Sequence, residues 1–245
     1  MKQLGEPNEE IKMSWNQASY VSPDVRDVRV TAFLSKVYGW MFLGLMITAG
    51  TALFVSSSET LIETFIGNRI LFWILLFAQL GIVIFLSTRV NHLSAATAAG
   101  LFMLYSAMVG LTSSVIFLIY TGASIVSAFM ITATMFGALA LFGTFTKRSL
   151  AGVGQFMFMG LIGLIIASVV NFFWMDSALY FVISVVGVIV FTGLTAWDAQ
   201  RLKHMAVALP DGRVGSYAVV GALSLYLDFI NLFFFILRIF GGRRS

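Results

Sequence analysis

Residues 217–239 read YAVVGALSLYLDFINLFFFILRI. As a helix this run is long enough to cross the hydrocarbon core of a bilayer, which takes roughly 20 residues. It nevertheless carries Ser224, Asp228, Asn231 and Arg238. Gly221, Ser224, Asp228 and Asn231 recur at alternating steps of three and four, and the same steps reach Phe235 and Arg238. All six therefore share one helix face. An aspartate at the centre of a membrane helix costs about 2.5–3.5 kcal/mol on insertion scales, and is tolerated only facing a bundle interior, a partner or water. The small and polar stripe thus predicts a helix turned toward other helices, at the centre of a bundle.

Working outward, the rest of the chain has the same character. Hydrophobic residues make up 59% and charged residues 11%, with a mean hydropathy of +0.94. A soluble domain carries roughly 25% charged residues, so too few charges are present to coat a water-facing surface. Six further apolar segments precede the first, at about 36–55, 70–88, 94–119, 124–145, 151–173 and 179–198. Open strands cannot satisfy their backbone groups in lipid, so these are helices. Pro7, Pro23 and Pro210 all fall outside them. The expected fold is an all-α integral membrane protein of seven transmembrane helices, residues 33–245, behind a polar, poorly ordered tail at 1–32.

The basic residues orient this bundle. The turns after segments two, four and six hold Arg89, Lys147, Arg148, Arg201, Lys203 and Arg213, whereas those after segments one, three and five hold only Arg69. By the positive-inside rule the amino terminus is cytoplasmic. Arg238, Arg243 and Arg244 then lie on the far side, against the rule, and the early helices are taken to dominate.

The chain has no cysteine, which removes disulfides, thiolate metal sites and cysteine nucleophiles. No P-loop, dinucleotide fingerprint or zinc motif occurs, and the net charge of +4 sits in turns and tails rather than in a nucleic-acid-binding patch. His92 and His204 lack metal-ligand spacing. No catalytic residue and no resident cofactor are expected.

Chemistry instead gathers on the acids. Nine of the eleven lie in the tail or in loops; the exceptions are Asp228 and Asp198, the latter near the end of segment six. An acid at a helix carboxyl end faces an already negative dipole, so Asp198 calls for a partner. Arg201, three residues on, is the local candidate; Asp228 or an arginine of another helix is the distant one. Thr192 and Thr195 extend a polar face inward from Asp198. Arg89, ending segment two on the same side, is a candidate third member.

Thr195-Ala196-Trp197-Asp198-Ala199-Gln200, followed by Ala222-Leu223-Ser224-Leu225-Tyr226-Leu227-Asp228-Phe229-Ile230-Asn231-Leu232-Phe233 and Leu237-Arg238-Ile239-Phe240-Gly241, resembles the signature of the Bax inhibitor-1 (LifeGuard) family. The similarity runs from Val37-Tyr38-Gly39-Trp40-Met41 onward and is greatest to bacterial inner-membrane members. The resemblance implies a last helix surrounded by the other six, and a pH-sensitive calcium leak. It makes Asp198 and Asp228 a paired sensor, and, through Arg-Val-x-x-Leu-Ser at 89–94, makes Arg89 a latch on one aspartate. Trp197 stands where a tyrosine is common, and Gln79 where many members have glutamate.

The implied chemistry is coherent. Two carboxylates close together in low dielectric cannot both ionise cheaply, so they share a proton and titrate as a unit. Deprotonated, they offer hard oxygen ligands. Calcium takes six to eight oxygens, so Asp198, Asp228 and Asn231 would need waters, which suits a weak transit site. Ser224, Thr195 and Arg238 are expected to line or support the path.

Two rival functions follow. Intramembrane aspartyl proteases also use aspartates on helices six and seven, but they need Gly-x-Gly-Asp at the second, where this chain has Leu225-Tyr226-Leu227, and a later Pro-Ala-Leu. The other rival is an interaction protein. Bacterial members that the chain resembles have been connected with regulation of a membrane protease, which the tail at 1–32 would contact.

Overall fold

The computed structural model describes residues 23–242 and 244. Seven long helices account for most of them: α1 (Pro23–Ser56), α2 (Arg69–Arg89), α3 (Ala95–Ser113), α4 (Gly122–Phe145), α5 (Ala151–Trp174), α6 (Ser177–Ala208) and α7 (Val214–Phe240). No strand occurs among the described residues. All seven are long and apolar enough to cross a membrane.

A side-chain cap marks four of the six breaks. Asn68 caps α2 by accepting hydrogen bonds from the Ile70 and Leu71 amides. Ser94 caps α3 through the Thr97 amide, and Thr121 caps α4 through the Ser124 amide. Asp176 caps α6 through the Leu179 amide at 2.6 Å. Each supplies an acceptor to an amide left without an intrahelical partner at a helix start. Helix α5 stops at Met175, whose left-handed backbone (φ 52°) lets its N–H close back onto the Asn171 carbonyl.

Two boundaries differ from those expected. Helix α1 begins at Pro23, so residues 23–32 are helical rather than tail; a proline in the first turn loses no hydrogen bond, and its fixed φ suits a helix. The remainder of the tail, residues 1–22, with its expected contact to a membrane protease, lies outside the described residues. Helix α6 runs to Ala208, so Arg201, Lys203 and His204 are helical and not in a loop. Asp198 is therefore nearly three turns from the helix end, and the dipole argument for a partner loses its premise.

The helices pack closely where side chains are small. Gly143 of α4 meets the Ala196 carbonyl of α6, and Gly154 of α5 lies under the Trp197 ring; a Cβ at either would collide. Helix α7 is the most enclosed, with 67% of its apolar window buried against 11% for α2 and α5. It packs on α1, α3, α4 and α6, and more thinly on α2. Helix α5 packs chiefly on α6, so α7 has four close neighbours and one thinner one where six were expected. Beyond α7, the Gly242 carbonyl accepts from the Thr121 amide and the Arg244 amide donates to Ile119. The carboxyl end thus sits beside the α3–α4 turn, at the opposite end from the basic turns.

Candidate functional site

Asp198 of α6 and Asp228 of α7 are both buried, at 6% and 4% exposure. They sit on helices that pack along one another. Ser224, one turn before Asp228, brings the helices together chemically: its hydroxyl donates a hydrogen bond to Asp198 Oδ2. Asp198 Oδ1 has no hydrogen bond among the described residues, and neither has Asp228 Oδ2. Thr192 Oγ1, one and a half turns before Asp198, is buried and unpaired in the same way. A buried carboxylate oxygen lacking a donor costs more than a lost neutral hydrogen bond. Two such oxygens on packed helices call for an explanation, and a proton, a water or a cation could supply the missing partner.

The cation nearest Asp198 belongs to its own helix. Arg201 Nη1 approaches Asp198 Oδ1 to 3.6 Å, and its guanidinium lies 5.4 Å from the centre of the Trp197 ring. Arg201 is therefore held from two sides, by the carboxylate at i−3 and the indole at i−4. Its side chain remains half exposed, at the mouth of a cavity of 260 Å³ that also touches Ser87, Asp198, Tyr217 and Ser224. Tyr217 donates to Asn91 Oδ1 at 2.6 Å, tying the start of α7 to the α2–α3 turn beside that mouth. The cavity thus leads from the basic end of the bundle to Asp198.

The other expected residues scatter. Thr195 is buried, but its hydroxyl turns back to the Phe191 carbonyl of its own helix. Asn231 donates to the Leu227 carbonyl and lines a separate groove between α2 and α5, with Trp73, Ser168 and Arg238. Arg238 lies over the rings of Tyr180 (5.1 Å) and Phe235 (5.4 Å) toward the carboxyl end. Arg89 is exposed at the end of α2 and forms no ion pair with either aspartate among the described residues. Among the described residues of this α7 stripe, Ser224 is the one that hydrogen-bonds Asp198.

Sequence reasoning missed three contributors. Ser87 and Tyr217 line the cavity from segments with no local signal for it. Gln200, 5% exposed, clamps the α4–α5 turn by accepting from the Leu150 amide and donating to the Arg148 carbonyl, each at 2.8 Å. A separate buried polar group joins Thr48, Ser106 and Tyr226: the Thr48 hydroxyl donates to the Ser106 carbonyl at 2.9 Å and meets the Tyr226 hydroxyl at 2.5 Å. Among the described residues no three His, Cys, Asp or Glu side chains cluster as metal ligands. The hard oxygens at hand for a cation are those of Asp198, Asp228 and Ser224, fewer than calcium needs without water.

Residues 30–245 match the family model described as Inhibitor of apoptosis-promoting Bax1. The chain is 49% identical over 215 residues to Inner membrane protein YbhL of Escherichia coli (strain K12), covering 86% of this chain and 92% of that one. It is 45% identical over 215 residues to a protein of Borreliella burgdorferi, covering 87% and 93%. To a membrane protein of Streptococcus pyogenes serotype M1 it is 35% identical over 218 residues, covering 88% and 94%.

Proposed function

The chain belongs to the Bax inhibitor-1 family of membrane proteins, and from that premise we propose that it is a pH-sensitive calcium leak channel gated by Asp198 and Asp228. One observation carries the reading: two buried carboxylates on adjoining helices, each with an oxygen lacking a donor, the first of them, Asp198, lining a cavity at the basic end. Protonated, the pair shares a proton and is content in low dielectric. Deprotonated, it attracts a divalent cation, with water completing the shell. Weak, incomplete coordination is what transit requires.

Arg201 is the cation that competes with calcium for Asp198 in this arrangement. A latch role for Arg89 needs α2 to shift toward α6, giving a second state of the same gate. The reading assigns no catalytic residue. The basic-turn bias favours a cytoplasmic amino terminus, and the name of the Escherichia coli relative, an inner membrane protein, supports an inner-membrane location.

The test is calcium flux into proteoliposomes across a pH series, comparing wild type with Asp198→Asn and Asp228→Asn. Both variants are expected to lose the pH response. Unchanged flux and pH response in both would sink the assignment.

A further inference from the structure

A second polar concavity lies away from the aspartates. The first turns of α1, the α4–α5 turn and the far end of α6 enclose a cleft of 680 Å³ lined by Arg26, Lys147, Arg148, Lys203 and His204, with Asp27 the acid among its lining residues. Three separate elements thus deliver four fixed cations to one place. Ordinary positive-inside anchoring needs only that basic residues occur in a turn; it does not need them to converge.

The cleft is also held in shape. Gln200 pins the backbone of the α4–α5 turn at Arg148 and Leu150 from inside the bundle. Lys203 donates to the Thr144 carbonyl at 2.7 Å, which fixes its ammonium at the cleft wall and leaves its other N–H donors free. The Gly143–Ala196 contact locks α4 against α6 immediately beneath. Lys147 and Arg148 are exposed on a turn whose backbone Gln200 holds at Arg148 and Leu150.

The surroundings decide which anion fits. Phe142 and Phe145 of α4, and Val153 and Phe156 of α5, flank the same turn with exposed apolar side chains. They form part of the surface these spans turn to the acyl chains. A ligand with a phosphate in the cleft would continue into hydrocarbon along α4 and α5. A soluble phosphate would leave that continuity unused.

We propose that the cleft formed by Arg26, Lys147, Arg148 and Lys203 is a binding site for an anionic phospholipid, its phosphate among these cations and its acyl chains along Phe145 and Phe156. Basic pockets between membrane helices recognise anionic headgroups in this manner. The arginines can grip the phosphate with paired N–H donors, and the lysines contribute point charges. Because α1, α4 and α6 all pack against α7, a lipid bridging them would also stiffen the helices that carry the aspartates.

The test uses the full chain in detergent, with native mass spectrometry counting bound lipid and melting temperature reporting its effect. Phosphatidylglycerol is expected to bind more tightly than phosphatidylcholine, and to raise the melting temperature where phosphatidylcholine does not. Lys147→Gln combined with Arg148→Gln should weaken phosphatidylglycerol binding by about tenfold or more, and Arg26→Gln should weaken it by several-fold. Arg213→Gln, a charge removed from the basic end outside the cleft, should leave it within about twofold. Equal binding of the two lipids, or an equal loss on Arg213→Gln, overturns the proposal. So does full competition by millimolar glycerol phosphate, since the acyl contacts would then contribute nothing.

Discussion

The Ser224 hydroxyl of α7 donates a hydrogen bond to Asp198 Oδ2 of α6, joining the two acid-bearing helices one turn from Asp228. This bond fixes which oxygen of Asp198 is satisfied and leaves Oδ1 for Arg201, a water or a cation. Ser224 is therefore a positioning residue for the pair, and its removal tests that role directly. Ser224→Ala leaves a buried carboxylate oxygen without its donor, at a cost of about 1–3 kcal/mol, read as a fall in melting temperature. A merely structural serine would change stability alone; a positioning one also shifts the pH midpoint of calcium flux. Ser224→Thr, which keeps the hydroxyl, should restore the midpoint.

Arg201 and Arg89 make predictions of different size. Arg201 is half exposed, so its ion pair with Asp198 adds little stability. Arg201→Gln should leave the melting temperature nearly unchanged, within about 0.5 kcal/mol. It does remove a positive charge from the mouth of the cavity leading to Asp198. Calcium flux should rise several-fold at low ionic strength, and less as salt screens the mouth. Arg89→Gln should have the smaller effect, because Arg89 reaches neither carboxylate in this arrangement. A larger effect of Arg89→Gln than of Arg201→Gln would transfer the latch to α2.

Close packing beneath the site gives a test free of any functional assumption. A Cβ on Gly143 would strike the backbone carbonyl of Ala196, which has no rotamer with which to yield. Gly143→Ala should therefore destabilise by about 1–3 kcal/mol, the usual cost of overpacking. Gly100→Ala, where nothing lies within reach of the added methyl, should be neutral or slightly stabilising, since alanine favours the helix. Equal melting temperatures for the two variants would remove the α4–α6 contact as a determinant of the bundle.

Much of this was legible in the sequence, and the reasons it was legible also show where reading stops. Seven spans follow from apolar runs and sparse charge, whereas the caps that Asn68, Ser94, Thr121 and Asp176 place on the helices after them appear only in the structure. The α6 boundary was misjudged because Arg201, Lys203 and His204 look like a loop by polarity, although a helix leaving the membrane is free to be polar. Periodicity correctly put Ser224, Asp228, Asn231 and Arg238 on one face. A face a helix-length long meets different neighbours at different depths, however. Ser224 meets α6, whereas Asn231 and Arg238 border the groove between α2 and α5. Partners such as Tyr217 with Asn91, or Gln200 with Leu150, join residues far apart in the chain, and single-sequence spacing carries no signal for them.

The sharpest prediction concerns how the two aspartates combine. If Asp198 and Asp228 share a proton, the pH response belongs to the pair and not to either residue. Asp198→Asn and Asp228→Asn should each abolish nearly all of it, and the double variant should resemble either single one. Independent groups would instead each remove a separate step, with effects that add in the double variant. The same three proteins should be ordered differently by stability. Asp228→Asn exchanges a buried carboxyl with no donor to Oδ2 for a neutral amide, whereas Asp198→Asn also alters the bond from Ser224 and the contact with Arg201. Asp198→Asn is thus expected to be the more destabilising substitution at neutral pH. Additive effects on the pH profile of flux would separate the two carboxylates and leave Asp198, with Ser224 and Arg201, as the titrating unit.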